Sequence, residues 1–474
     1  MAKARNENIL RAIPSVDSLL AEPPIAELRQ RHPRFPWTQF IRLIVDDFRA
    51  ACERGGKDGT GDRETVKERL VQNTLERLER LRSGGQQRVI NATGVILHTN
   101  LGRAVLGQRV REAVVTALSS YVNLEYDLPT GERGSRGETM LELACLASGA
   151  EAAMVVNNNA AAVYLVVNTY SPPGRIIVSR GELVEIGGSF RLPDILSRAA
   201  GEVVEVGTTN RTYAKDYERV AKPGDVILKV HRSNYELSGF VHEASIAELV
   251  EVGRKKECHV VFDLGSGAFH DFAEAGIGGE EVVSVALDAG VDCVTMSGDK
   301  LLGGVQAGII LGRAIFLARL KQNPLRRAIR VDKLCIAALE ALFRCYLFED
   351  RPEAEVTLLD QVLGPVEALR SRAENVIEGL RGQQAAGLTL EIVDDEAAVG
   401  GGSFATEKLP SAAISIRCTS EREAVGLAKK MRTHELPIVP RIKGSEVRIN
   451  MRSVLPDEDE DLKTNLGMIL GRRS

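Results

Sequence analysis

A chain of 474 residues with 44% hydrophobic content is long enough for a large buried core and for two or three domains. A formal net charge of −4 carries no overall basic signature for nucleic acid, DNA included, and seven cysteines without C-x-x-C spacing argue against a metal ribbon or a disulfide framework. No apolar run approaches the ~20 residues that span a bilayer, and Met1–Glu7 has no apolar signal core, so a cytoplasmic protein without membrane association or metal is expected.

Residues 1–82 read as a helical domain. Ile13-Pro14-Ser15-Val16-Asp17-Ser18-Leu19-Leu20 offers a Ser or Asp cap before an apolar pair, and Phe40, Ile41, Leu43, Ile44 and Phe48 recur at helical spacing. A flexible break is expected at 54–62. A charged helix with Val66, Leu70, Leu75, Leu78 and Leu81 then runs to Ser83-Gly84-Gly85, the expected boundary. The lone Trp37 is expected to be packed. Residues 1–90 carry 17 Lys and Arg, fourteen of them Arg, against 13 Asp and Glu, in a chain that is acidic as a whole. A solvated helical face and a phosphate-binding surface both account for that excess.

From about 88 to 345 short apolar runs alternate with helical segments. The candidate strands are Val89–Ile96, Ala152–Val156, Arg175–Val178, Val203–Val206, Val226–Val230, Val260–Leu264, Cys293–Thr295 and Gly308–Leu311, with a helix at Glu280–Ala289. Such alternation of β-branched strands with helices predicts an α/β domain over residues 83–348, built on a mostly parallel sheet. Beyond it a long helix, Val356 to Leu380, precedes strands Leu388–Val393, Ala413–Arg417 and Glu446–Asn450, with a helix near Arg422–Arg432. Residues 349–474 are therefore expected to form a smaller α+β domain. The acidic run Asp457–Asp461 caps the final helix.

The most informative stretch is Ser297-Gly298-Asp299-Lys300-Leu301-Leu302-Gly303-Gly304-Val305-Gln306-Ala307-Gly308. It puts a lysine at a strand end in a tight glycine turn, where burial lowers its pKa and makes the amine nucleophilic at neutral pH. A P-loop needs Ser or Thr after the lysine and a different glycine spacing; here Leu301 follows. An ordinary turn lysine remains the plain alternative for this stretch alone.

Ligands on parallel sheets bind beyond the strand carboxyl ends, so the residues there decide between these readings. Strand 152–156 runs into Asn157-Asn158-Asn159 and then a helix, a seat for an anion or else a simple helix cap. Strand 260–264 carries Asp263, a carboxylate that is costly in a core unless paired. In pyridoxal-phosphate enzymes such an aspartate keeps the pyridine nitrogen protonated, which makes the ring an electron sink. Anion seat, buried aspartate and glycine-turn lysine at successive strand ends together predict a fold-type-I enzyme that uses pyridoxal 5′-phosphate. His231, after strand 226–230, and His98 are candidates for contact with the ring, and a structural histidine is the alternative for each. Glu182 and Glu185 are most simply read as a solvated turn. Arg326, Arg327 and Arg330, and Arg133 with Arg136, cluster so that they could grip an oxyanion or could stay solvated.

Several of these segments resemble bacterial selenocysteine synthase, the L-seryl-tRNA(Sec) selenium transferase family. They are Ile13–Asp17, the run Asn91-Ala92-Thr93-Gly94-Val95-Ile96-Leu97-His98-Thr99-Asn100-Leu101-Gly102-Arg103, Tyr126–Arg136, Asn157–Ala161, Ser297–Gly308 and Arg452-Ser453-Val454-Leu455-Pro456. The resemblance runs nearly end to end. It implies a fold-type-I large domain, a smaller C-terminal domain, an N-terminal tRNA-binding domain and a homodecameric ring of dimers. By position it implies Lys300 as the Schiff-base lysine, Asp299 as its catalytic neighbour, and Arg103, Arg327 and Arg330 as the grip on selenophosphate. One departure is Asn450, where an aspartate is expected two residues before Arg452, which puts a role for that arginine in doubt.

The implied reaction removes the α-proton and β-hydroxyl of seryl-tRNA(Sec), leaving an aminoacryloyl-tRNA to which selenium from selenophosphate adds. It would also give the N-terminal arginines a purpose, holding tRNA by its backbone and shape. Two rivals are kept. One is a lyase or aminotransferase-like paralogue acting on a free amino acid or amino sugar, which would be expected to lack the N-terminal helices. The other is a cofactor-free RNA-binding protein.

Overall fold

The structure, a computed structural model, describes residues 12–54, 62–82, 84–171, 174–186, 190–232, 235, 237–380, 388–404 and 407–471. Met1–Glu7 and most of the break expected at 54–62 lie outside them. The chain divides into two compact units, Met1–Arg88 and Val89–Ser474.

The first unit is helical: Val16–Leu20, Pro23–Arg31, Trp37–Glu53 and Arg63–Arg82. Ser15 starts the first helix by accepting the Ser18 N–H at 3.2 Å. Phe40, Ile41, Ile44 and Phe48 form one buried stripe, joined by Leu19, Ile25, Val66, Leu70 and Leu78. Trp37 is packed there, with its indole N–H on the His32 carbonyl at 3.0 Å. Leu43 and Leu81 fall outside the stripe and are exposed.

The second unit holds two large sheets. Its strands are β1 Ile90–Ala92, β2 Val95–Leu97, β3 Ala152–Val156, β4 Ile176–Ser179, β5 Glu185–Ile186, β6 Phe190–Arg191, β7 Val203–Val206, β8 Val226–Val230, β9 His259–Gly265, β10 Cys293–Ser297, β11 Gly308–Gly312, β12 Thr389–Gly400, β13 Leu409–Arg417, β14 Ile438–Lys443 and β15 Glu446–Asn450. The seven-stranded sheet has the order β3-β11-β10-β9-β8-β4-β7. Its pairings are parallel except for those of β11, which is antiparallel to β3 and β10. Fully buried runs such as Val226–Val230 match a sheet covered on both faces.

The stretch expected as one strand, Val89–Ile96, is two short strands in the other sheet, ordered β1-β14-β15-β13-β12-β2. Gly94 bends the chain between them at φ 78°. Ser453 pins the bend, accepting the Gly94 N–H at 2.9 Å and donating to the Asn91 carbonyl at 2.8 Å. β14 carries Pro440, whose missing N–H hid this strand from the sequence pattern.

The helix expected over Val356–Leu380 is broken into Thr357–Leu363 and Val366–Gly379 at Gly364-Pro365. Proline lacks the N–H for the helical ladder and disfavours helix at the residue before it. Buried Arg452 takes up the stranded carbonyls, donating to those of Gln361 at 2.9 Å, Val362 at 3.2 Å and Gly364 at 2.9 Å, and to Pro410 at 2.9 Å. Asn450 donates to Asp395 at 3.0 Å, so an aspartate at 450 would set two carboxylates face to face. Among the described residues no helix is long and apolar enough to cross a membrane.

Candidate active site

The hairpin β10–β11 carries the lysine turn. Its backbone is closed by the Gly298 N–H on the Ala307 carbonyl at 2.8 Å and the Gly303 N–H on the Lys300 carbonyl at 2.8 Å. Gly303, at φ 76°, supplies the left-handed residue this turn needs. Lys300 is buried, 6% exposed. Burial and the Arg103 charge push its amine below the usual lysine range, while Asp263, Asp299 and Glu280 pull the other way. A cavity of about 270 Å³ opens against it, lined also by Arg103, Asn158, Asn159, His231, Asp263 and Asp299.

Asp263 lies in the buried part of β9, one residue before its end at Leu264. Three donors converge on its Oδ1: Asn159 Nδ2 at 2.8 Å, the Thr295 hydroxyl at 3.0 Å and the Gly265 N–H at 3.1 Å. Among the described residues none donates to Oδ2. Burial pushes this carboxyl up, against those three hydrogen bonds and the Lys300 charge. A buried carboxylate with one oxygen saturated and the other bare calls for a cationic partner in the cavity.

The three asparagines divide. Asn158 caps the helix Asn159–Tyr170 by accepting the Ala161 N–H at 2.8 Å. Asn159 turns to Asp263, and its Oδ1 is buried without a partner. Asn157 is exposed and off the cavity, its N–H on the Ile329 carbonyl at 2.9 Å. The expected seat for an anion therefore reduces to the helix N-terminus, where Asn159 and Ala160 line the cavity. Close approach of β11 to this end is possible because residue 308 is glycine; a Cβ there would lie 2.1 Å from the Asn158 carbonyl oxygen.

Arg103, held at φ 62°, forms an ion pair with Asp299 at 2.6 Å, and its Nε is buried without a partner. It lines both this cavity and an adjoining one of about 440 Å³ with Thr99, Asp299 and Gln306. Arg326, Arg327 and Arg330 are exposed and line neither cavity, although Arg330 bridges to Val156 at the end of β3. Arg133 and Arg136 pair with Glu125 at 2.9 and 3.1 Å. His231 lines the cavity and His98 does not.

Glu182 is not in a solvated turn. It is buried, accepting from Lys229 at 2.7 Å and from the Val230 N–H at 3.0 Å; Glu185 is exposed and pairs with Arg191 at 2.7 Å. Sequence reasoning missed Thr295, Glu182 as a buried group and Glu280. Thr295 left one signal, a hydroxyl inside a buried strand, and the register sets it directly opposite Asp263.

The residues present suit pyridoxal 5′-phosphate: an aldehyde-reactive amine, a bare carboxylate oxygen for a ring nitrogen and a helix N-terminus for a phosphate share one cavity. Comparison with known proteins bears on the same question. D-glucosaminate-6-phosphate ammonia-lyase superposes with a TM-score of 0.55 at 19% identity, over 83% of this chain and 98% of that one, and shows the fold, that of the fold-type-I enzymes. An L-seryl-tRNA(Sec) selenium transferase from Moorella thermoacetica is 42% identical over 458 residues, 96% of each chain. One from Nitratidesulfovibrio vulgaris is 40% identical over 468 residues, 98% of this chain and 99% of that one. The family model for the selenocysteine synthase N terminal matches residues 10–47. The model for L-seryl-tRNA selenium transferase matches residues 89–455, and the chain belongs to that family.

Proposed function

We propose that this enzyme converts L-seryl-tRNA(Sec) to L-selenocysteinyl-tRNA(Sec) with selenophosphate as selenium donor and pyridoxal 5′-phosphate as cofactor. The bare Oδ2 of Asp263 in the cavity of Lys300 is the observation that carries the reading. Bound there, pyridoxal 5′-phosphate supplies an electron sink for a carbanion at the seryl α-carbon. Asp263 holds a proton on the ring nitrogen, and the N–H groups of Asn159 and Ala160 hold the phosphate. Lys300, its pKa lowered by burial and by the Arg103 charge, takes the α-proton and returns it after selenium has added at the β-carbon. Asp299, next to it, assists proton transfer to the departing hydroxyl. Arg103 exchanges its pairing with Asp299 for the phosphate of the donor, and Arg327 and Arg330 reach the same phosphate from outside the cavity.

In the division of labour we infer, residues 1–82 hold tRNA, 83–348 hold the cofactor and 349–474 close over it, in a ring of dimers. The deciding experiment gives purified protein seryl-tRNA(Sec), selenophosphate and pyridoxal 5′-phosphate and scores selenocysteinyl-tRNA. Wild type is expected to form it together with a protein-bound visible absorbance band, and Lys300→Ala to lose the band and at least about 10³-fold in turnover. Product formed at the wild-type rate by Lys300→Ala would sink the assignment.

A further inference from the structure

The loop leaving β12 is held in an unusual backbone. Gly400, Gly401 and Gly402 take φ of 80°, 66° and 79°, and Phe404, which is not glycine, sits at φ 50°. Such a residue persists only where its surroundings fix it. Two contacts do so: the Phe404 ring packs edge-on to Phe272 with centroids 5.3 Å apart, and its N–H donates to Glu280 Oε1 at 2.8 Å. The Glu280 side chain is 2% exposed. Its other oxygen, Oε2, accepts the Ser266 hydroxyl and lies 3.3 Å from Nε2 of His231. His231 lines the cavity of Lys300, and its N–H donates to the Asp263 carbonyl at 2.9 Å. Glu280 itself does not line the cavity, and beyond its charge acting on Lys300 it has no part in the chemistry above.

A carboxylate oxygen can only accept, so the imidazole nitrogen facing it carries a proton, which fixes both tautomer and ring orientation. We propose that Glu280 is a positioning residue of the active site. Anchored by the Phe404 N–H and the Ser266 hydroxyl, it holds His231 with Nε2 protonated and the ring set for contact with the pyridine of the cofactor. The loop Gly400–Phe404 thereby couples the six-stranded sheet to the wall of the cavity. This role for His231 rests on the cofactor reading above; the tautomer does not.

Glu280→Gln tests it. Glutamine keeps one oxygen for the Phe404 N–H but presents an NH₂ to Nε2, which must then accept, moving the ring proton to Nδ1. Solid-state ¹⁵N spectra of histidine-labelled protein, with His231 assigned by its disappearance in His231→Asn, read the tautomer without cofactor or tRNA. Nε2 is expected to be protonated in the wild type and bare in E280Q. E280Q is also expected to bind pyridoxal 5′-phosphate roughly tenfold more weakly at an unchanged thermal midpoint, the effect of one charge-assisted hydrogen bond. A bare Nε2 in the wild type overturns the proposal even if E280Q fails to fold. Wild-type affinity in a folded E280Q, in a protein that binds the cofactor, overturns the positioning role. If the wild type has the protonated Nε2 but takes up no cofactor, the functional reading fails and the Glu280–His231 contact stands.

Discussion

At position 103 the chain sets one charge to two tasks. The Arg103 guanidinium holds Asp299 and also lowers the pKa of Lys300, which burial has already depressed. Replacing it with Gln removes a cation and frees a neighbouring carboxylate, and both changes raise the lysine pKa. The acid limb of cofactor attachment, followed as the rate of visible-band formation against pH, is therefore expected to move to higher pH in Arg103→Gln; a limb that stays put or moves down contradicts this. The sign for stability is the reverse of a salt-bridged lysine. With the folded pKa below the unfolded one, the unfolded chain binds more protons between them, so Lys300 makes stability rise with pH across that window. Lys300 and Asp263 were legible in the sequence because one sits in a glycine turn just beyond a strand and the other inside an apolar run, where a carboxylate needs a partner or a ligand. Glu280 and Thr295 were not, because their meaning depends on which strand or loop lies opposite. Of the three asparagines, Asn158 both caps its helix and lines the cavity, whereas Asn157 is exposed and does not line it.

At the scale of elements, Arg452 joins a helix break to a strand. Its guanidinium serves three carbonyls freed by Gly364-Pro365 and one at Pro410, so it is a structural tie, and the departure at Asn450 leaves it intact. Arg452→Ala strands those carbonyls in a buried place and is expected to cost about 3 kcal/mol or more in urea unfolding. A loss under ~1 kcal/mol, the size of an exposed ion pair, would contradict the geometry. The break itself was written in the sequence, since proline cannot continue a helix; the apolar period on either side masked it. Central strands of the seven-stranded sheet such as β8 and β11 were read nearly to the residue because burial on both faces leaves near-continuous apolar runs. β1, β2 and β14 were hidden or misplaced because a glycine bend and a proline interrupt the pattern that pairing alone completes.

For the whole molecule, the helical unit at the start is the feature expected to separate a tRNA-dependent enzyme from a small-molecule lyase of the same fold. Its core accounts for its apolar residues without calling on its arginines. Deleting residues 1–82 is expected to leave cofactor binding unchanged while reducing turnover of seryl-tRNA(Sec) by at least about tenfold at low salt through loss of phosphate contacts, a difference that should shrink as salt weakens those contacts in the intact chain. Turnover of seryl-tRNA(Sec) unaffected by the deletion would show that these residues do not hold the tRNA. Architecture also bears on how the chain comes to be made. β1 and β2 emerge early from the ribosome, yet they pair with β14 and β12, which are translated near the end. Until then those edges stay open, and a nascent or prematurely terminated product must be shielded by chaperones or be lost to self-association, so its maturation is post-translational.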